Sequence, residues 1–307
     1  MPSSTTKTLI IGADGFLGTN MVRYFARTGW PVATIGRTAG DLSEWANVVA
    51  AFRTLPPVDR IFHLVTRQRT GSVQYAIQGE LLAINSRIHL NILEAWRQFQ
   101  PQAKLISTGS SCAYPEQATP LSESAFQSGP VHPSVKGYAQ AKTLLATGAA
   151  TYADQYGLKQ LHCILATLYG PHDHKAADRS HFMGGLIDRA VREQRSGATA
   201  FSVWGSLDTV RDLLYVDDQI EALLAADRHF TNTLLNCTSN APVTIGAAAH
   251  AVLRALAWDV PIHTPPESFQ GAGYKSLDSS RFLAAADWKP KVQLEEGVRR
   301  IVALEYQ

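Results

Sequence analysis

The sequence predicts an α/β fold, a doubly wound parallel sheet joined to a smaller mixed α/β lobe. Two observations carry the prediction. The chain opens on an apolar run, Thr8-Leu9-Ile10-Ile11, which passes directly into Gly12-Ala13-Asp14-Gly15-Phe16-Leu17-Gly18 and then into a helical period. From there strands and helices alternate to residue 167, the pattern of right-handed βαβ units on a parallel sheet. A third observation points to chemistry: a strand ending in Gly109-Ser110-Ser111-Cys112-Ala113-Tyr114-Pro115 precedes Tyr138-Ala139-Gln140-Ala141-Lys142.

Taken in order, residues 8–11 read as a buried parallel strand, and residues 20–28 follow a helical period. The glycines between them are spaced G-x-x-G-x-x-G, which suits a tight turn, a backbone lying close to a pyrophosphate, and a helix N-terminus whose amides favour negative charge. Gly12, Asp14, Gly15, Phe16, Leu17 and Gly18 are therefore candidate cofactor-binding residues of a Rossmann-type unit. The second strand, 31–36, ends in Arg37 where an acid would bind an adenosine 2′-hydroxyl. An Arg suits a 2′-phosphate, so the expected cofactor is NADP(H). A helix over 43–53 and a third strand over 59–65 follow.

Residues 66–79 are polar and irregular and read as a solvated loop carrying Arg67 and Arg69; His63 reads as a structural histidine. A helix over 80–98 leads to the strand 104–110, whose carboxyl edge presents Ser110 where ligands of open α/β sheets bind. Residues 115–133, rich in Pro, Ser and Gln, read as a loop bordering the site. Tyr138 and Lys142, four apart on a helix running to 156, share one face. An ammonium beside a phenol favours the phenolate and lets the pair pass a proton near neutral pH. A strand over 160–166 completes residues 1–167 as an NADP-binding domain. Residues 168–307 are mainly a substrate-binding lobe, interleaved because segments near 212–240 return to the first domain.

The 307 residues are 45% hydrophobic and 18% charged, enough to bury a sizeable core. A net charge of +2 without a basic block excludes nucleic acid as an expected partner. No apolar run is long enough to span a bilayer, and the first strand begins too early to leave room for a signal peptide. Three scattered cysteines, Cys112, Cys163 and Cys237, argue for a reducing cytoplasm and against a disulfide framework.

The glycine turn, the Ser strand and the Tyr-x-x-x-Lys helix together resemble the extended short-chain dehydrogenase/reductase family. The resemblance implies that Tyr138 donates or accepts the proton, Lys142 orients the nicotinamide ribose, Ser110 holds the substrate oxygen, and Asp41-Leu42 border the adenine. Family members that dehydrate nucleotide sugars carry Thr-Asp-Glu after the Ser; this chain has Cys112-Ala113 there, which disfavours a 4,6-dehydratase. On a strand-like backbone Cys112 points to the same pocket as Ser110. A thiolate there can act as a base on a carbon α to a ketone, and His181 is the candidate acid for the opposite face.

Further blocks are similar to the GDP-L-fucose synthase branch of that family: Ser-Ser-Cys-x-Tyr-Pro, Tyr-Ala-x-Ala-Lys, Leu168-Tyr169-Gly170-Pro171-His172-Asp173, Ser180-His181, Val203-Trp204-Gly205-Ser206, and Arg211-Asp212 through Asp217-Asp218. This likeness runs from residue 8 to about 288 and implies a GDP-linked 4-keto-6-deoxy sugar, epimerised beside the ketone and then reduced by NADPH. It implies Cys112 and His181 as base and acid, and Arg189, Trp204, Arg211 and Lys275 as residues holding the nucleotide diphosphate. Arg189 lies about two helical turns past His181, so one helix could present both to one cleft. The chain departs from the branch at Thr167, at 174–179 and at 66–69, which leaves a heptose or another deoxyhexose open. A 4-ketoreductase or C4-epimerase without Cys/His chemistry, and a cofactor-sensing regulator, are the alternatives. The resemblance also implies a homodimer formed through the Tyr138 helix and its neighbour.

Overall fold

A computed structural model describes residues 6–116, 119–176, 178–265 and 273–306. Six parallel strands form the main sheet: β1 (Thr8–Ile11), β2 (Val32–Ile35), β3 (Arg60–His63), β4 (Lys104–Ser110), β5 (Gln160–Leu165) and, from much later in the chain, a strand at Thr233–Cys237. The order places β2 on one side of β1 and β3, β4 and β5 on the other. The chain therefore reverses direction across the sheet between β1 and β3, and a crevice opens at their carboxyl ends. Strands β1, β3 and β5 are buried along their whole length, so they read as unbroken apolar runs in the sequence.

Helices cover both faces. On one lie α2 (Trp45–Arg53), α4 (Gln78–Phe99) and α5 (Lys136–Tyr156), packed on Leu9, Ile11, Ile61 and Leu105. On the other lies α1 (Phe16–Thr28), over Ile10, Phe62 and Ile106. Between α2 and α4 the segment expected to be an irregular loop contains a short helix, α3 (Gly71–Ala76). His63 is buried and shares a 2.9 Å hydrogen bond, Nε2 to Nδ1, with His89 of α4.

Beyond β5 the chain builds the lobe. β6 (Thr167–Tyr169), α6 (Phe182–Arg195), β7 (Phe201–Ser202) and β8 (Val210–Tyr215) come first. Then α7 (Val216–His229) packs against α1 and β9 (Thr233–Cys237) takes its place beside β5. The return to the large sheet thus begins at Val216, after Asp212, because β8 stays in the lobe and pairs with β6. β10 (Pro242–Thr244), α8 (Ile245–Ala255), β11 (Ile262–His263), β12 (Tyr274–Lys275), α9 (Ser280–Ala285) and α10 (Leu294–Glu305) complete the described chain. β8 is the hub of the lobe sheet, antiparallel to β10 and parallel to β6 and β12. Met183, Ile187, Phe201, Val252 and Ile301 form its core. Among the described residues no helix is long and apolar enough to cross a membrane.

Candidate active site

The site begins at the turn between β1 and α1. Gly12 has φ +93°, and a Cβ there would lie 2.7 Å from the Val65 backbone nitrogen, so only glycine fits. Gly15 is the N-cap of α1; it offers no side-chain acceptor and the first turn carries no acid, which leaves the helix amides for an anion. The Asp14 carboxylate accepts the Arg37 backbone amide, leaving the exposed Arg37 side chain at the rim of the crevice with Gly40, Asp41 and Leu42. Arg179, which carried no expectation, lines the same crevice. Burial and then the charges of Asp173, His181, Arg179 and Arg37 act on His174, with a net fall in its pKa, so both guanidiniums make their charge felt at this side of the crevice. A closely packed turn, an open helix end and a cationic rim fit a dinucleotide bearing a 2′-phosphate.

Ser110 ends β4, and Tyr138 and Lys142 project from α5 below it. The Lys142 ammonium, 2% exposed as a residue, donates to the Thr108 carbonyl at 2.9 Å and lies 5.9 Å from the Tyr138 ring centroid. Burial pushes Lys142 down to about 7. Burial also pushes Tyr138 well above the usual phenol value, helped by the Cys112 charge and opposed by a hydrogen bond with Ser110. Desolvation and the Cys112 charge therefore work against the expected phenolate and favour the protonated phenol.

Cys112 does reach the cavity of Ser110, but not along a strand. Residues Ser111–Ala113 form a single 3₁₀ turn, capped by the Ser110 hydroxyl accepting the Cys112 amide at 3.2 Å. The Lys275 ammonium donates to the Cys112 sulfur at 3.2 Å. Burial raises the Cys112 pKa, but the charge of Lys275, hydrogen bonds from Ser110 and Lys275, and the charge of Arg211 bring the net shift below the ordinary thiol value.

His181 is the N-cap residue of α6, its ring tilted on Phe16 of the glycine turn with centroids 5.0 Å apart. Asp173, buried, accepts from its Nδ1 at 2.7 Å and from its backbone amide at 3.0 Å. Asp173 was visible only as a letter of a longer motif; a turn through His172 at φ +66° folds it back onto His181, which spacing alone does not show.

One cavity of about 740 Å³ thus gathers the glycine turn, Arg37, Asp41, Leu42, Ser110, Cys112, Tyr138, Lys142, His181, Arg211 and Lys275. Arg189 and Trp204 line a second cavity of about 590 Å³; His174 borders both. The expectation of one cleft for His181 and Arg189 is corrected. Eight residues along a helix advance about 12 Å and rotate the side chain by roughly 80°. In the second cavity the Arg189 guanidinium stacks 3.6 Å from the Trp204 ring centroid, and Trp204 is 60% exposed, an open aromatic face and not core packing. Arg67 and Arg69 line the first cavity, paired with Glu80 at 3.2 Å and Asp178 at 3.3 Å, where a freely solvated loop was expected.

The fold and the Ser-Tyr-Lys arrangement define an extended short-chain dehydrogenase/reductase. Residues 8–237 match the NAD dependent epimerase/dehydratase family, and the chain belongs to it. A GDP-L-fucose synthase of Sinorhizobium fredii is 33% identical over 295 residues, 95% of this chain and 92% of the relative. A probable GDP-L-fucose synthase 1 of Oryza sativa subsp. japonica is 28% identical over 297 residues, covering 95% and 89%. Among solved structures, a GDP-L-fucose synthetase from Naegleria fowleri bound to NADP superposes with a TM-score of 0.85 at 22% identity, covering 98% and 92%. A GDP-6-OMe-4-keto-L-xylo-heptose reductase from C. jejuni gives 0.88 at 18% identity, covering 98% of each chain.

Proposed function

We propose that this chain is an NADPH-dependent epimerase/reductase of a GDP-linked 4-keto-6-deoxy sugar or heptose. It inverts a carbon beside the ketone and then reduces C4. The observation that carries this reading is the convergence of Ser110, Cys112, Tyr138, Lys142 and His181 on one cavity with the glycine turn. Reduction needs only the Ser-Tyr-Lys set; the thiol and the Asp-held imidazole add a base and an acid.

The Cys112 thiolate takes the proton from the carbon beside the ketone; the C–H bond breaks, an S–H bond forms, and the electron pair moves onto the ketone oxygen as an enolate. Ser110 and Tyr138 donate hydrogen bonds to that oxygen. His181, protonated and oriented by Asp173, returns a proton to the carbon from the other face. NADPH, when bound, supplies the hydride that reduces the ketone carbon. Tyr138 gives its proton to the oxygen at that moment, a role suited to a phenol that burial keeps protonated. The helix amides beyond Gly15 hold the cofactor diphosphate, Arg37 its 2′-phosphate, and Lys142 its ribose. Arg189, Trp204 and Arg211 hold the nucleotide of the substrate, the stacked guanidinium and indole presenting charge and a flat face together.

In this reading residues 1–167, with the returning α7 and β9, form the cofactor-binding domain, and the rest of 168–307 binds the nucleotide sugar. The three cysteines are free, which suits work in a reducing cytoplasm. Leu82 and Leu90 of α4 and Tyr156 of α5 are exposed apolar side chains on the two helices through which we propose homodimerisation. The function is tested by incubating the enzyme with GDP-4-keto-6-deoxy-mannose and NADPH in D₂O. Deuterium beside the former ketone supports the proposal; an unlabelled reduced product favours a plain 4-ketoreductase.

A further inference from the structure

We infer that Lys275 is a positioning residue for Cys112: its ammonium sits on the thiol to hold it as the thiolate base. The functional sense of this rests on the epimerisation proposed above, while the physical basis is geometric.

The contact is direct, 3.2 Å from Nζ to Sγ, and joins residues far apart in the chain. It is also built in. β12 runs parallel to β8 with Lys275 in register with Arg211, so both cations start from one face of the lobe sheet. The residues after Lys275 are fixed on two sides. Buried Asp212 accepts from the Ser276 hydroxyl at 3.1 Å and the Leu277 amide at 2.7 Å, and Leu121 donates its amide to the Ser276 carbonyl at 2.9 Å. A lysine on so constrained a strand is aimed, unlike one on a solvated loop. The groups that act on Cys112 are Ser110 from β4, Tyr138 from α5, Arg211 from β8 and Lys275 from β12. None of these four groups carries a carboxylate.

The chemical consequence is specific. Removal of a proton from carbon turns the thiolate into a neutral thiol and moves the negative charge to the ketone oxygen. Lys275 keeps its own proton throughout. Its contribution is to the fraction of Cys112 present as thiolate before the step.

The test is the pH dependence of Cys112 alkylation by iodoacetamide in the full-length protein without sugar, read by mass spectrometry of the modified peptide. Cys163 and Cys237 are fully buried, so the native reaction reports Cys112. In the wild type the midpoint lies below that of an ordinary thiol. In K275M it rises by a pH unit or more, slowing alkylation at neutral pH about tenfold, and K275R restores the low midpoint. An unchanged K275M profile overturns the inference. Should K275M fail to fold, the wild type decides alone: a midpoint at or above the ordinary thiol value overturns it. Because the titration needs no substrate, it stands or falls separately from the identity of the sugar.

Discussion

Asp173 grips His181 at two points, one carboxylate oxygen 2.7 Å from the ring Nδ1 and the other 3.0 Å from the backbone amide. With Nδ1 engaged, Nε2 is the nitrogen left for proton transfer in the cavity that His181 lines. Asp173→Asn removes the carboxylate that orients the ring while keeping the size of the side chain. Solvent deuterium incorporation is expected to fall by about 100-fold or more. NADPH binding, followed by fluorescence, is expected to stay unchanged, because Asp173 takes no part in the glycine turn. Equal loss of both would place Asp173 in the scaffold alone.

Lys142 is a buried cation that donates to the backbone carbonyl of Thr108. Its pKa falls from 10.5 to about 7 in the folded protein. The sign follows from proton counting: between about pH 7 and 10.5 the unfolded chain binds more protons than the native one, so stability rises with pH across that window. Lys142→Met removes the penalty of burying charge. It is expected to raise the Tm of the cofactor-free protein at neutral pH by several degrees, a gain that fades toward pH 10, while ketone reduction falls at least 100-fold. A lower Tm at pH 7 would contradict this account of the site's electrostatics.

Asp212 shows the opposite linkage. Burial raises its pKa from 3.8 to about 6 against two hydrogen bonds that lower it. The native state therefore holds a proton that the unfolded chain has lost, and stability declines as pH rises from about 4 to 6. Asp212→Asn is expected to flatten the dependence of denaturation midpoint on pH in that interval. A slope identical to wild type would show that Asp212 does not titrate there.

Arg37 tests the cofactor. Its amide is tied to Asp14 while its guanidinium remains exposed at the crevice rim. Arg37→Ala is expected to raise the KM for NADPH about 10- to 100-fold, the worth of a hydrogen bond to a charged group, and to leave that for NADH nearly unchanged. Equal effects on both cofactors would move the 2′-phosphate elsewhere, with Arg179 the next candidate on the same rim.

Much of this protein is legible in its sequence because parallel strands buried on both faces cannot hide their pattern. Ile61-Phe62 and Leu161 to Leu165 announce themselves as apolar runs between helical periods. Tyr138 and Lys142 are legible because helical spacing fixes their shared face. The turn at Ser111–Ala113 was not, because it depends on a side-chain cap from Ser110. The lobe strands β7, β11 and β12 are two residues long, too short for any period to show. The Lys275–Cys112 contact spans 163 positions, and only the pairing of β12 with β8 creates it. Local rules expose elements and same-helix neighbours; contacts made by the lobe folding back over the sheet are set by tertiary structure.

The most direct test of the central claim compares wild type and Cys112→Ser on GDP-4-keto-6-deoxy-mannose with NADPH in D₂O, with the product read by NMR. Wild type is expected to place deuterium on carbon beside the former ketone and invert it. Cys112→Ser is expected to yield a reduced sugar of unaltered configuration without that label. A variant that labels and inverts as wild type does, or a wild type that reduces without label, would contradict a thiol base at this site.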